Sequence, residues 1–314
     1  MELFIPTLNQ MIYLVAFILI GYLLAHFGAV KAEAASMLSK LENLVFIPAL
    51  MMGTFMTDFS VADLKASWKL ILFSTVIELV FLPLSLWVGR KCSKKEFEQK
   101  IFAYGLAFSN FGYMGHAVVR AVFPEYFSQY VMFTMPLYVI IYTWAVPALL
   151  MPKEGKQTWK QRLKGVFNPM VIGMLAGILV GLSGLRLPSS IVSVVQTAGN
   201  CMSPIAMMLT GITIASIDLS KVFRSWNIYL LTVLRLVVYP LVGLAVLILL
   251  PLPNVYKICA VCALAMPLGL SNVVIPAAYG MDTTKAAAMA LVSHVLSIIT
   301  IPLMFILLNL ALAV

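Results

Sequence analysis

Charge is what this chain has least of. Asp, Glu, Lys and Arg make up 11% of its 314 residues, whereas an ordinary soluble domain carries ~25%. With 62% hydrophobic residues and a mean hydropathy of +1.01, the deficit excludes a soluble globular domain and leaves a polytopic membrane protein. Acids are scarcer than bases, 12 against 21, for a net charge of +9. That excess is no nucleic-acid signature, because the basic residues stand in short clusters between apolar runs, as at a cytoplasmic membrane surface. Membrane lipid is the expected surroundings and nucleic acid is not a partner. Histidine and cysteine are also few, three and four. The apolar runs hold no paired aspartates, no His-Glu-x-x-His and no Ser/His constellation, so no catalytic residue, metal site or cofactor is expected, and the chain is not read as an enzyme. Cys259-x-x-Cys262 lies inside an apolar run without partner ligands and reads as packing. No basic residue precedes the first apolar run, which follows Glu2, so it reads as a retained helix and not as a cleaved signal peptide.

What is present is a series of apolar runs of helix length. Ten can be counted, at about 8–27, 38–56, 68–89, 101–123, 126–150, 169–185, 191–217, 226–250, 258–280 and 284–312. The only sizeable hydrophilic linker is Pro152–Lys164, which divides the chain into a first unit, 1–151, a linker, 152–164, and a second unit, 165–314. With the N-terminus outside, the inner loops collect Lys31, Arg90, Lys91, Lys94, Lys95 and Lys100, the lysines and arginine of the linker, Lys221, Arg224 and Lys285. Outer loops keep only Lys65, Lys69, Arg186 and Lys257, so both termini are placed outside and the linker in the cytoplasm.

The two units resemble each other. A shift of 157 residues lays Lys100-Ile101-Phe102-Ala103 on Lys257-Ile258-Cys259-Ala260, Gly112 on Gly269, and Glu78 through Leu84 on Arg235 through Leu241. With small gaps, Pro48–Met52 meets Pro204–Met208, Asp58-Phe59-Ser60 meets Asp218-Leu219-Ser220, and Ser67-Trp68 meets Ser225-Trp226. Each match is weak alone, but all fall in one order. Five spans per unit is an odd number, so the second unit enters the membrane from the opposite side. The expected architecture is a 5+5 inverted repeat.

The fourth and ninth spans carry residues that an uninterrupted membrane helix avoids: Asn110, Gly112 and Gly115 in one, Pro267, Gly269 and Asn272 in the other. They read as two broken helices that cross near the midplane, since unwound backbone at that depth survives only in protein or beside a cavity. Second half-helices starting near Gly112 and Gly269 would aim N–H groups and positive dipole ends at one point, which favours an anion. Asn110, Tyr113, His116, Ser271 and Asn272 can hydrogen-bond there, and neither broken helix has an acid in its interior. Tyr138 and Tyr142 share one face of the fifth span, and Ser293, Ser297 and Thr300 share a face of the tenth, where His294 adds a titratable group. These stripes could equally serve interhelical hydrogen bonding. Glu78 and Arg235, charged in mid-span and equivalent by the repeat, are either site residues or a structural ion pair or cap of unwound backbone.

At these residues the chain resembles a known family. Asn110-Phe111-Gly112-Tyr113-Met114-Gly115 is similar to the Asn-x-Gly-aromatic-x-Gly motif of bacterial members of the auxin efflux carrier family, and Pro267–Asn272 followed by Tyr279-Gly280 to the matching segment of their second half. The resemblance runs along essentially the whole chain, including Asn43–Met52 and the basic linker. It implies an elevator-like carrier of an organic anion in a bacterial inner membrane, with helices 1, 2, 6 and 7 as scaffold and 3, 4, 5, 8, 9 and 10 as transport core. A homodimer through the scaffold helices is one arrangement to expect. Ala117 and Asn272 stand where family members often have proline, which points from auxin toward small carboxylates. The coupling ion, sodium or proton, stays open, and so does the alternative of a sodium-coupled symporter of the bile-acid type, since unwound carbonyls with Asn and Ser can hold sodium. A sodium–proton antiporter would need acids at the crossing, but Asp58, Asp63, Asp218 and Asp282 fall in loops or at span ends.

Overall fold

The computed structural model describes residues 4–31, 33–152, 167–215 and 225–312. Glu2, most of the basic linker, Asp218, Lys221 and Arg224 lie outside the described residues. Among those described the chain is helical throughout, without strands apart from one isolated antiparallel bridge.

In chain order the helices are α1 (Phe4–His26), α2 (Ala34–Leu41), α3 (Ile47–Asp58), α4 (Val61–Lys91), α5 (Glu96–Ala107), α6 (His116–Val122), α7 (Phe127–Ile140), α8 (Pro169–Ser183), α9 (Ser189–Ala215), α10 (Trp226–Val233), α11 (Tyr239–Leu249), α12 (Asn254–Ala265), α13 (Ser271–Ala278) and α14 (Thr284–Leu312). Wider π turns adjoin several of them: Glu42–Phe46 between α2 and α3, Phe111–Gly115 before α6, Ile141–Leu150 after α7 and Leu234–Val238 between α10 and α11. Among the described residues, six continuous helical stretches are long and apolar enough to cross a membrane: Ala34–Thr57, Leu64–Lys91, Pro124–Leu150, Ser189–Ala215, Trp226–Leu249 and Thr284–Leu312. Met11–His26, Pro169–Ser183 and Asn254–Ala265 are shorter apolar helices. With large apolar side chains such as Leu79, Trp87, Leu179, Val246 and Leu310 exposed along them, the outer surface suits lipid and not water.

Packing divides between a group in which α1, α3, α8 and α9 lie against one another and a group in which α4 lies against α5 and α7, with α14 reaching α1, α9, α10 and α12. In lipid, close backbone approach replaces the hydrophobic drive that packs helices in water. Gly173, Gly177 and Gly181, one turn apart on α8, do this against α3: a Cβ at any of them would collide with the backbone oxygens of Pro48, Met52 or Phe55 and Phe59. Gly21 of α1 and Gly211 of α9 make the same kind of seam, each against backbone of the other helix.

Candidate functional site

Helical geometry stops at Ala107 and resumes at Phe111, and it stops again at Ala265 and resumes at Ser271. The two interrupted segments meet. Ser109 and Leu268 form the antiparallel bridge, the Asn110 N–H donates to the Pro267 carbonyl at 2.7 Å, and the Gly269 N–H donates to the Phe108 carbonyl at 3.1 Å. Those bonds satisfy backbone groups that no solvent could reach at buried positions, which lets extended chain persist there.

The first halves end with carbonyls facing inward, and one side chain gathers them. Arg235, 2% exposed, donates from Nη1 to the Leu106 carbonyl at 3.0 Å, from Nη2 to Ala263 at 3.2 Å and from Nε to Met266 at 3.3 Å. A guanidinium suits this place because it offers a fork of donors and a positive charge to two negative dipole ends at once. Ser109 Oγ adds a bond to the Ala263 carbonyl at 2.7 Å. Glu78 shares with Arg235, Ser74 and Ser109 a cavity of about 20 Å³, large enough for one water. Arg235 thus bonds last-turn carbonyls of α5 and α12 and the first carbonyl beyond α12.

The second halves begin without a side-chain cap, at Asn110 and at Leu270. Asn110 instead reaches α14, where its Nδ2 stands 3.0 Å from His294 Nε2 while His294 Nδ1 stands 2.7 Å from the Ala290 carbonyl. Only a donor can face a carbonyl, so Nδ1 carries a proton toward Ala290 and Nε2 is the ring atom left to meet the Asn110 amide. Ser297 Oγ bonds the His294 carbonyl at 2.7 Å. Asn272 Nδ2 donates across to the Ile101 carbonyl at 3.0 Å, and Ser271 is buried beside Tyr104. The Oδ1 atoms of Asn110 and Asn272 are buried and have no hydrogen-bond partner. Gly112 and Gly115 are covered by tyrosine hydroxyls, Tyr138 over the first and Tyr130 over the second. Tyr138 stacks on Tyr142 at 6.3 Å between ring centroids, and His116 packs edge-on to Phe127, Tyr130 and Tyr138 with Nε2 3.4 Å from Thr134 Oγ1. The Tyr113 side chain lies outside the described residues.

Of the residues singled out from sequence, Gly112, His116 and Ala117 face a cavity of about 430 Å³ between α1, α3, α6 and α9. Asn110, Gly115, Pro267, Ser271, Asn272, Tyr138, Tyr142, His294 and Ser297 do not line it. Its other polar walls are Tyr13, Thr54, Thr57, Gln196, Asn200 and Ser203, with Arg120 as the one charged residue among the described ones that line it. Arg120 also lies 4.1 Å over the Phe127 ring. Sequence does not point to Thr54, Gln196 or Asn200, since isolated polar residues on apolar helices look alike whether they line a cavity or bond a neighbouring helix. A cavity with a guanidinium and no carboxylate favours a negatively charged solute.

Among the described residues no cluster of His, Cys, Asp and Glu could hold a metal ion. No curated protein matches the chain. The model of the family described as Membrane transport protein matches residues 6–305, and with its apolar helices the chain is a multi-pass membrane transport protein that belongs to this family, the auxin efflux carriers.

Proposed function

We propose that the protein is a secondary carrier that moves a small carboxylate across the membrane by an elevator motion. The observation that carries this reading is the 430 Å³ cavity beside the bridged segments, with Arg120 and His116 in its wall and no acid among its described lining residues. In this reading the chain has ten transmembrane helices as a 5+5 inverted repeat, and 101–123 and 258–280 are its broken fourth and ninth members. The contact of α1 and α3 with α8 and α9 supports a scaffold made of the first, second, sixth and seventh spans. The remaining spans form the core, and a homodimer would use the scaffold. The distribution of lysine and arginine supports a plasma membrane protein with both termini outside; the motifs of bacterial carriers support the inner membrane.

The solute would bind in the cavity with its carboxylate toward Arg120, where a charge-assisted hydrogen bond contributes about 1.5–3 kcal/mol. Thr54, Gln196 and Asn200 would order its remaining polar atoms. Thermal unfolding of the purified protein against a panel of carboxylates tests this. A ligand at 100 times its Kd stabilises the folded state by ~2.7 kcal/mol, and Arg120→Gln should need roughly 10–100 times more ligand for the same shift. If no carboxylate shifts the wild type, or if Arg120→Gln responds like it, the assignment is wrong.

A second reading has its own observation. The partnerless amide oxygens of Asn110 and Asn272 are hard donors of the kind sodium takes, as in a symporter of the bile-acid type. It requires the carboxylate shift to depend on sodium over potassium, and to lose that dependence in Asn110→Ala and Asn272→Ala.

A further inference from the structure

Glu42 is fully buried, and neither of its carboxyl oxygens has a hydrogen-bond partner. It opens the π turn Glu42–Phe46, inside one of the helical stretches long enough to cross a membrane. Such turns are uncommon and often mark functional positions, because the extra residue costs a regular hydrogen bond. No partner on the neighbouring helices offers to neutralise the acid. Among the described residues, the elements packed most closely against the turn are α2, α3, α8, α9 and α13. Of these, α8 and α13 hold no titratable residue and α9 holds only Cys201. On its own helix Lys40 points to the outside, and Asp58 lies 16 residues away, roughly 24 Å along the axis.

An ionised carboxylate in such surroundings is unfavourable by far more than any single contact could offset, and the usual resolution is to keep the proton. The place of the turn gives that proton a use. On one side it meets α9 and α8, in the group assigned above to the scaffold. On the other it meets α13, the second half of an interrupted segment, to which Ser39 Oγ bonds through the Val274 carbonyl.

We propose that Glu42 is a proton-binding site: its carboxyl group holds a proton while the π turn and α13 are in contact, and gives it to water when α13 withdraws. In that step the O–H bond breaks, its electron pair stays on the carboxylate, and the proton leaves to the side where the seam has opened. Release rests on the elevator reading of the preceding subsection; proton binding does not. One proton would then be exchanged per movement of the core, which makes the proton the coupling ion.

Infrared spectroscopy of the protein reconstituted in phosphatidylcholine vesicles, at neutral pH in potassium buffer without solute, reads the site directly. The carbonyl stretch of a protonated carboxyl should be present in the wild type, absent in Glu42→Gln and retained in Glu42→Asp and in Glu78→Gln. Glu42→Gln is isosteric with the neutral acid and should melt no lower than the wild type. Loss of an ionised carboxylate band in Glu42→Gln overturns the proposal, as does conversion of the wild-type band to the ionised form when sodium replaces potassium, which would make this a cation site. Carboxylates that shift the melting temperature should lower the protonated band in the wild type, and no change with any of them overturns the release step. If no carboxylate shifts the melting temperature, the carrier reading fails, and the solute-free spectrum still decides whether Glu42 holds a proton.

Discussion

Replacing Gly112 by alanine tests how closely the first interrupted segment is covered. A Cβ at this position would overlap the Tyr138 hydroxyl oxygen and stand 3.0 Å from Cζ and 3.1 Å from Cε1. Tyr138 has nowhere to go: it is 2% exposed and its ring meets Phe55, Phe111, His116 and Tyr142. Overpacking a site of this kind costs about 1–3 kcal/mol, a loss of roughly 10–100-fold in the folded-to-unfolded ratio. The hydroxyl that causes the clash makes no hydrogen bond, so Tyr138→Phe alone should be neutral or slightly stabilising, because a buried hydroxyl without a partner is itself unfavourable. In the double variant the nearest atom becomes Cζ, a tight contact that a small ring shift relieves. The interaction energy of the cycle should therefore be favourable by about 1 kcal/mol or more, within the usual range for touching residues. Gly115 supplies the contrast. Its Cβ would overlap the Tyr130 hydroxyl, but that hydroxyl donates to the Phe111 carbonyl at 3.1 Å. Tyr130→Phe should thus cost about 0.5–1.5 kcal/mol by itself and rescue Gly115→Ala less completely. Unfolding of the detergent-solubilised variants, followed by melting temperature and by denaturant titration, reads all six proteins. A Gly112→Ala variant as stable as the wild type, or one that Tyr138→Phe does not improve, would refute the close approach.

Two further expectations concern the ends of helices. Arg235→Met strips donors from three buried carbonyls, those of Leu106, Ala263 and Met266, and should destabilise by about 3–5 kcal/mol as breaking a buried charged interaction does; Arg235→Lys should recover only part, since an ammonium cannot span all three, and the yield of monodisperse protein on size exclusion reports both. Asp282 Oδ1 accepts from the Thr284 N–H at 2.9 Å at the start of α14. The bonds from the Thr284 side chain and backbone hold its carboxyl below the usual carboxylate range. Because the folded-state value is the lowered one, this contribution is complete above the ordinary carboxylate range and fades as pH falls through the folded value. Asp282→Ala should therefore cost about 1 kcal/mol at neutral pH, and its melting curve should converge on the wild type in acid.

Composition alone carries the class of the molecule, because a helix in lipid must be apolar over most of its length and charge cannot be hidden among 11% of residues. The positions where helical geometry lapses are also readable, since Pro267 lacks a donor and Gly112 and Gly269 tolerate neighbours that a side chain would exclude. What surrounds those positions is another matter. Arg235 is visible as a charge in an apolar run, yet its three acceptors are backbone carbonyls, and a carbonyl belongs to every residue and marks none. The partnership of Asn110 with His294 joins positions 184 apart, and the stripe of Ser293, Ser297 and Thr300 tells which face of α14 is polar without telling what meets it. The cavity is the least legible feature. Its walls come from four helices, and Thr54, Gln196 and Asn200 carry no spacing that separates a solute contact from a helix contact. Glu42 was within reach. An acid inside an apolar run is costly wherever it stands, and the argument that singles out Glu78 applies to it with more force: Glu78 has Arg235 across a shared cavity, whereas the one basic residue on the helices packed against Glu42, Lys40, is exposed.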